Sequence, residues 1–221
     1  MQIALLGGTG DIGQGLALRW ARDTNHDVLI GSREAEKAHT MADEYETELA
    51  SRDYDVEIAG LANPEAAARA DVIVLSVPAY YLSDTVEAVA DEIGDAVVVS
   101  PAVGMQRDES GVHYNPPGVG SVTALAAKAA PEDVPVVGAF HNLAAGRLAN
   151  LDADLDWDVP VVADDDDAKE TVSALAAGIE GIRPLDAGDL ANAAEVESLT
   201  PLLINLAANN EKMHDLGVKF R

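Results

Sequence analysis

Three glycines, a hydroxyl, two cations and one histidine have the types and spacing that cofactor chemistry needs. Gly8, Gly10 and Gly13 fall at G-x-G-x-x-G spacing, the pattern in which a strand passes into a helix and the turn between them receives a pyrophosphate. In that pattern Gly8 lets the chain turn sharply, Gly10 removes a side chain where pyrophosphate approaches backbone, and Gly13 lets the helix pack close to the sheet. The phosphates then rest on free N–H groups of the helix's first turn. Context makes the spacing informative: the apolar run 3–6 precedes it, the helix-like stretch 16–21 follows, and a second strand signal at 27–30 arrives at the expected distance.

The end of that second strand distinguishes the two nicotinamide cofactors. An acidic residue there would bind the ribose hydroxyls of NAD, whereas Ser32 and Arg33 offer a hydroxyl and a guanidinium suited to a 2′-phosphate. Lys37 lies one helical turn beyond Arg33 and can point the same way. Lys and Arg number 14 against 39 Asp and Glu, so two cations within five residues single out NADP over NAD. The β-branched run 71–78 ends in Val77 and Pro78, and with Ala79 these are candidates for the nicotinamide edge, because ligands collect at the carboxyl ends of parallel strands. A further strand, 96–100, ends at the same crevice. His141 follows strand 134–139 directly, and either faces the cleft or is a satisfied structural histidine. No lysine–aspartate or histidine–aspartate pair of the kind needed to protonate a carbonyl accompanies it.

The elements that must position these residues follow from pattern. Helices are expected at 35–50, 64–70 opened by Pro64, 82–93, 121–130, 144–150 and 168–179, and strands at 56–59, 159–163 and 181–185. Residues 106–120, which include His113, show neither period and read as a loop. Asp164 to Asp167 read as the acidic N-terminus of a helix and not as a metal site. A long helix over 190–209 should be kinked or split by Pro201, and Leu199, Leu202, Leu203 and Leu206 recur as a packing face, in the core or at a dimer contact. The whole reads as an α/β chain: a Rossmann-type doubly wound parallel sheet over residues 1–140 and a smaller C-terminal α/β domain over 141–221.

Composition bounds the rest. There are no cysteines, which excludes disulfides, thiolate nucleophiles and cysteine-ligated metals. The net charge of −25 repels nucleic acid and anionic membranes, and neither is expected as a partner. It also repels an anionic cofactor. A cytosol of molar salt, where the screening length falls to about 3 Å, removes that conflict, and the acidic excess reads as a halophile's surface. No stretch approaches bilayer length and Met1 leads straight into the first strand, so a cytoplasmic location is expected.

Taken together, ALLGGTGDIG, GSREAEK, VVVSP, FHN, ANLDADLDWDVPVVADDDD, RPLDAG, VESLTPLLIN and LGVKF resemble the archaeal coenzyme F420-dependent NADP oxidoreductases over nearly the full length. The resemblance implies hydride transfer between nicotinamide C4 and C5 of an 8-hydroxy-5-deazaflavin. It implies NADP across Thr9, Gly10, Asp11 and Ile12, with its 2′-phosphate on Ser32, Arg33 and Lys37. The nicotinamide end then runs past Ala79, Ser83, Met105, Ala145 and Leu216, and the deazaflavin lies near His141, Ser198 and Thr200. Family members are typically dimeric or larger. The family often has a basic residue where this chain has Ala194, and an arginine where it has Glu34. Two other readings of the residues stay open: an NADPH-dependent reductase of a small imine, keto acid or metal chelate, and a non-catalytic NADP sensor.

Overall fold

The computed structural model describes residues 1–221. The chain runs β1 (Gln2–Leu6), α1 (Asp11–Asp23), β2 (Asp27–Ser32), α2 (Ala35–Ala50), β3 (Ile58–Ala62), α3 (Asn63–Arg69), β4 (Val72–Leu75), α4 (Leu82–Glu87) and β5 (Val97–Ser100). It continues through β6 (Met105–Asp108), β7 (Gly111–Tyr114), α5 (Val122–Ala129), β8 (Val136–Gly138), α6 (Ala145–Ala149) and β9 (Trp157–Ala163). The last elements are α7 (Asp166–Ala177), β10 (Ile182–Asp186), α8 (Ala193–Glu197) and α9 (Leu199–Ala208).

One eight-stranded sheet, in the order β10-β9-β8-β5-β4-β1-β2-β3, organises the molecule. All neighbours are parallel except β8 and β9. The chain winds outward from β1 through β2 to β3, then returns to place β4 on the other side of β1, which makes the crevice between β1 and β4 the switch point where such sheets take ligands. Strand β1 is apolar without alternation because both its faces are covered. Ile3 and Leu5 enter a core beneath α1, α2 and α7, while Ala4 and Leu6 enter a second core beneath α3, α4 and α5. Near residue 140 the strand direction reverses, yet β9 and β10 extend the same sheet and the larger core runs from Ile3 to Ile182.

Helix α1 is the hub. Its Arg19, 2 % exposed, donates to the carbonyls of Leu148, Asn150 and Ala153 at 2.9, 2.7 and 2.9 Å, satisfying the open end of α6. Trp20 donates from its indole N–H to the Leu175 carbonyl at 3.0 Å and meets the Phe140 ring edge-on at 5.6 Å. The helix that begins at the glycine turn therefore also holds the segments that form the far side of the site.

Three elements differ from the sequence reading. The helix expected over 82–93 ends at Glu87, and a separate 3-10 turn covers Ala90–Glu92. Strand β3 starts two residues late, with Ile58 opposite Val28 and its N–H bound by Glu46. The patternless stretch 106–120 contains a hairpin, β6 against β7. All of β6 is exposed, so no hydrophobic alternation marks it. The hairpin is held by the Asn205 amide of α9, which bonds both the N–H and the carbonyl of Val112 at 2.9 and 2.7 Å, as a strand neighbour would. The C-terminal helix is split as Pro201 implies, with the break at Ser198. A proline ring collides with the carbonyl four residues earlier, here that of Glu197, so α8 must end there and Pro201 occupies the first turn of α9, where a missing N–H costs nothing. Of the four leucines, Leu199 and Leu203 are half-buried, while Leu202 and Leu206 are exposed.

Replacing Arg19 with Met would leave the carbonyls of Leu148 and Ala153 without donors, a loss on the order of 3 kcal/mol. Thermal unfolding should move down by roughly 10 °C; a midpoint within about 2 °C of the parent would show that α6 does not depend on this side chain.

Candidate active site

Two cavities open at the C-terminal ends of the strands. The first, about 360 Å³, lies in the β1–β4 crevice. Gly7, Thr9 and Gly10 form its floor, Ser32, Arg33 and Lys37 one wall, Ser76, Val77 and Pro78 the strand side, and Tyr81, Asp84 and Thr85 the opposite wall. The second, about 320 Å³, has mostly apolar walls: residues 142–145 after β8, Thr200, Leu203, Ile204 and Ala207 from α9, and Asp215 and Leu216 from the C-terminal tail.

The glycine turn works largely as its spacing suggests, with one shift. The left-handed residue is Gly7, at φ 77°, so the sharp turn falls one position before Gly8. Gly8 and Gly13 are instead a close pair: a Cβ on Gly13 would lie 2.6 Å from the Gly8 Cα. A Cβ on Gly10 would meet nothing nearer than 3.6 Å, and Gly10 is the N-cap of α1 without any side-chain cap. The first-turn N–H groups of Asp11, Ile12 and Gly13 thus remain available to a pyrophosphate, although these residues and Gly8 do not line the cavity themselves. Tyr45, buried in α2, donates to the Gly8 carbonyl at 3.0 Å. Desolvation pushes its phenol up to about 12, which keeps it a donor.

Ser32, Arg33 and Lys37, the residues expected to meet a 2′-phosphate, line the same cavity. Ser32 does not cap α2, whose N-cap is Glu34; its oxygen accepts the Glu34 N–H at 3.2 Å, leaving the hydroxyl proton to donate elsewhere. Arg33 and Lys37 make no ion pair in a chain with 39 acids. The Arg33 guanidinium lies 5.5 Å from the centroid of the Tyr81 ring, a cation–π geometry. Ser76 Oγ and Asn63 Oδ1 are buried beside this cavity without partners. Open glycine backbone, unpaired cations and orphaned polar atoms fit a phosphorylated dinucleotide.

Sequence reasoning missed Gly7, Asn63, Ser76 and Tyr81. The exposed pair Tyr80 and Tyr81 directly after a strand end was the available signal, since a free-standing aromatic there suggests a stacking surface. Ala79 and Ser83 flank the first cavity on the α4 side without lining it. Met105 begins β6 and is exposed, outside both cavities. Ala145, Thr200 and Leu216 line the second. Ser198 lies outside it, its hydroxyl donating to the Glu195 carbonyl at 2.7 Å.

His141 is fully packed, 3 % exposed. The Thr123 hydroxyl donates to Glu197 at 2.9 Å, so at 3.3 Å it accepts from His141 Nε2–H, leaving Nδ1 bare and unpartnered. Burial lowers this imidazole to about 3. Glu197, wholly buried, also accepts from the N–H groups of Val122 and Thr123 and from the Tyr114 hydroxyl, while the His141 carbonyl accepts from Thr200 at 2.7 Å. The histidine belongs to a network tying β7, α5, α8 and α9 to the second cavity. His113 is engaged with Asp108 and Ser110 at the hairpin tip. In the acidic run, Asp165 caps α7 and Asp164 accepts the Leu190 N–H.

A parallel sheet with a glycine turn at its switch point and paired cations after the second strand defines a dinucleotide-binding protein of the doubly wound α/β class. The chain belongs to the coenzyme F420-dependent NADP oxidoreductase family. The model of that family, described as "NADP oxidoreductase coenzyme F420-dependent", matches residues 2–104. An F420-dependent NADP reductase of Methanothermobacter thermautotrophicus is 40 % identical over 99 % of this chain and 94 % of its own. Another, from Methanocaldococcus jannaschii, is 39 % identical over 93 % and 92 %. A crystal structure from Arthrobacter sp. FB24, provisionally described as an F420-dependent NADP-reductase, shares the fold at TM-score 0.80 and 24 % identity over 100 % of this chain and 99 % of that one. Pyrroline-5-carboxylate reductase from Coxiella burnetii shares it at TM-score 0.60 and 17 % identity over 94 % and 67 %.

The depressed His141 imidazole has a definite sign in stability. Between its ordinary value of 6.5 and about 3, the unfolded chain binds a proton that the native protein refuses, so stability falls as pH drops below 6.5, by at most about 1.4 kcal/mol per pH unit from this group. Denaturant titrations from pH 7 to 4.5 should show a flatter decline for His141→Gln than for the parent, and activity should show no inflection near 6.5 owing to this residue. Equal slopes would mean that the imidazole is solvated.

Proposed function

We propose that the chain catalyses hydride transfer between NADP(H) and the deazaflavin coenzyme F420, with NADP in the first cavity and the deazaflavin meeting the nicotinamide at the second. The observation that carries the placement is the unpaired Arg33 and Lys37 in a polar crevice, with an apolar cavity at the ends of neighbouring strands. The names of the curated relatives supply the acceptor.

When bound, the two cofactors supply the redox chemistry, one as hydride donor and the other as acceptor. The protein's work is positioning. The α1 N-terminus and the turn Gly7–Gly10 receive the pyrophosphate. Ser32, Arg33 and Lys37 hold the 2′-phosphate, and Tyr81 provides a stacking face. Ala145 and Leu216 exclude water around the nicotinamide, and Thr200 fixes the segment after His141. The reacting carbons must be held about 3 to 3.5 Å apart; His141, buried and neutral, shapes the pocket and moves no proton. Residues 1–140 carry the NADP site and 141–221 complete the deazaflavin side. The exposed Leu202 and Leu206 of α9, 53 % and 41 % accessible, suit a homodimer contact. The charge of −25 suits a cytoplasm of high salt, and no helix is long and apolar enough to cross a membrane.

In molar potassium chloride, mixing protein, NADPH and oxidised F420 should bleach the deazaflavin faster than NADH does. Arg33→Ala and Lys37→Ala should each raise KM for NADPH roughly tenfold, as expected for loss of a charge-assisted phosphate contact, and leave the NADH rate unchanged. Equal losses with both nucleotides would remove the 2′-phosphate assignment. Binding of NADPH with no bleaching would assign the second cavity to another acceptor or to a sensor.

A further inference from the structure

Three stretches that the cofactor turn leaves without a purpose, around Trp157, Arg183 and Val218, meet at one side chain. Asp158 of β9 is wholly buried. Arg183 of β10 grips both its oxygens, at 2.8 and 2.7 Å, and the Phe220 N–H and Lys219 Nζ approach at 2.6 and 3.3 Å. The backbone closes the arrangement: Asp158 N–H donates to the Val218 carbonyl at 2.7 Å, and Arg183 donates to the Phe220 carbonyl at 2.8 Å. The last residues are therefore strapped along β9. Gly217 lies so close to the Trp157 indole that a Cβ there would overlap the ring.

The strap leads to the second cavity. The chain turns at Asp215, φ 48°, and Asp215 and Leu216 form part of the cavity wall. Asn142, which lines the same cavity, donates from Nδ2 to the main-chain carbonyl of Asp158 at 2.8 Å. Two walls thus depend on one residue. The carboxylate is wholly buried while its guanidinium partner is half-exposed, and the hydrogen bonds that converge on it fix one geometry for the strap.

We propose that Asp158, through the C-terminal strap and Asn142, is the positioning residue of the second cavity, and that the strap holds Leu216 where the nicotinamide end of NADP(H) would meet it. This rests on the reading of the second cavity given above.

Two variants disturb the strap in different ways. Arg183→Gln removes the partner charge, and Gly217→Ala pushes the strap off Trp157 with every charge in place. Calorimetric titration in molar potassium chloride with NADPH and with 2′,5′-ADP, which keeps the 2′-phosphate and lacks the nicotinamide, separates positioning from general damage. Both variants should weaken NADPH roughly tenfold and change 2′,5′-ADP by less than about twofold, with Arg183→Lys in between. Unchanged NADPH affinity in both variants, or parallel losses for both ligands, would overturn the proposal. These are binding measurements without deazaflavin, so a failure of the parent protein to bleach F420 would count against the assigned reaction and not against the strap.

Discussion

Everything in this molecule depends on how closely α1 approaches the end of β1. The contact between Gly8 and Gly13 admits no side chain, and it sets the first turn of the helix at the mouth of the β1–β4 crevice. Bare N–H groups then face the place where an anion must sit. The same helix carries Arg19 and Trp20, which reach α6 and α7, so the element whose first turn opens on the first cavity also locates the segments around the second. Tyr45 adds a third tie: its bond to the Gly8 carbonyl couples the turn to α2, whose first turn bears Lys37.

Electrostatics sharpens this arrangement. Arg22, Arg52, Lys169, Arg183 and Lys219 are held in ion pairs, and Arg19 is engaged by carbonyls. Arg33 and Lys37, left without carboxylate partners beside one cavity, are available for a ligand's phosphate. Contact charges at such a site act over a few ångströms and survive in high salt, where long-range repulsion by the rest of the surface does not.

Much of this was legible in the sequence for physical reasons. Strands buried on both faces leave continuous apolar runs, and a phosphate turn needs glycine at fixed steps, so β1, β4 and the first cavity could be read directly. The split before α9 follows from the reach of the Pro201 ring. The hairpin β6–β7 could not be read, because its strands are exposed and its pairing is completed by Asn205, some 90 residues away. Nor could the packing of His141 or the convergence on Asp158: side chains brought together across 25 and 62 positions carry no period. Gly7 was overlooked because the motif permits counting from Gly8, whereas the backbone turns one residue earlier.

The central claim is that the protein holds two cofactor rings in direct contact and takes no chemical part itself. Transfer from NADPH labelled with deuterium at nicotinamide C4 tests it most directly, with each face labelled in turn and the product analysed by mass spectrometry. The account predicts that one labelled face delivers its deuterium to deazaflavin C5 without exchange with solvent. Reduced deazaflavin carrying solvent hydrogen at C5 in both experiments would contradict it.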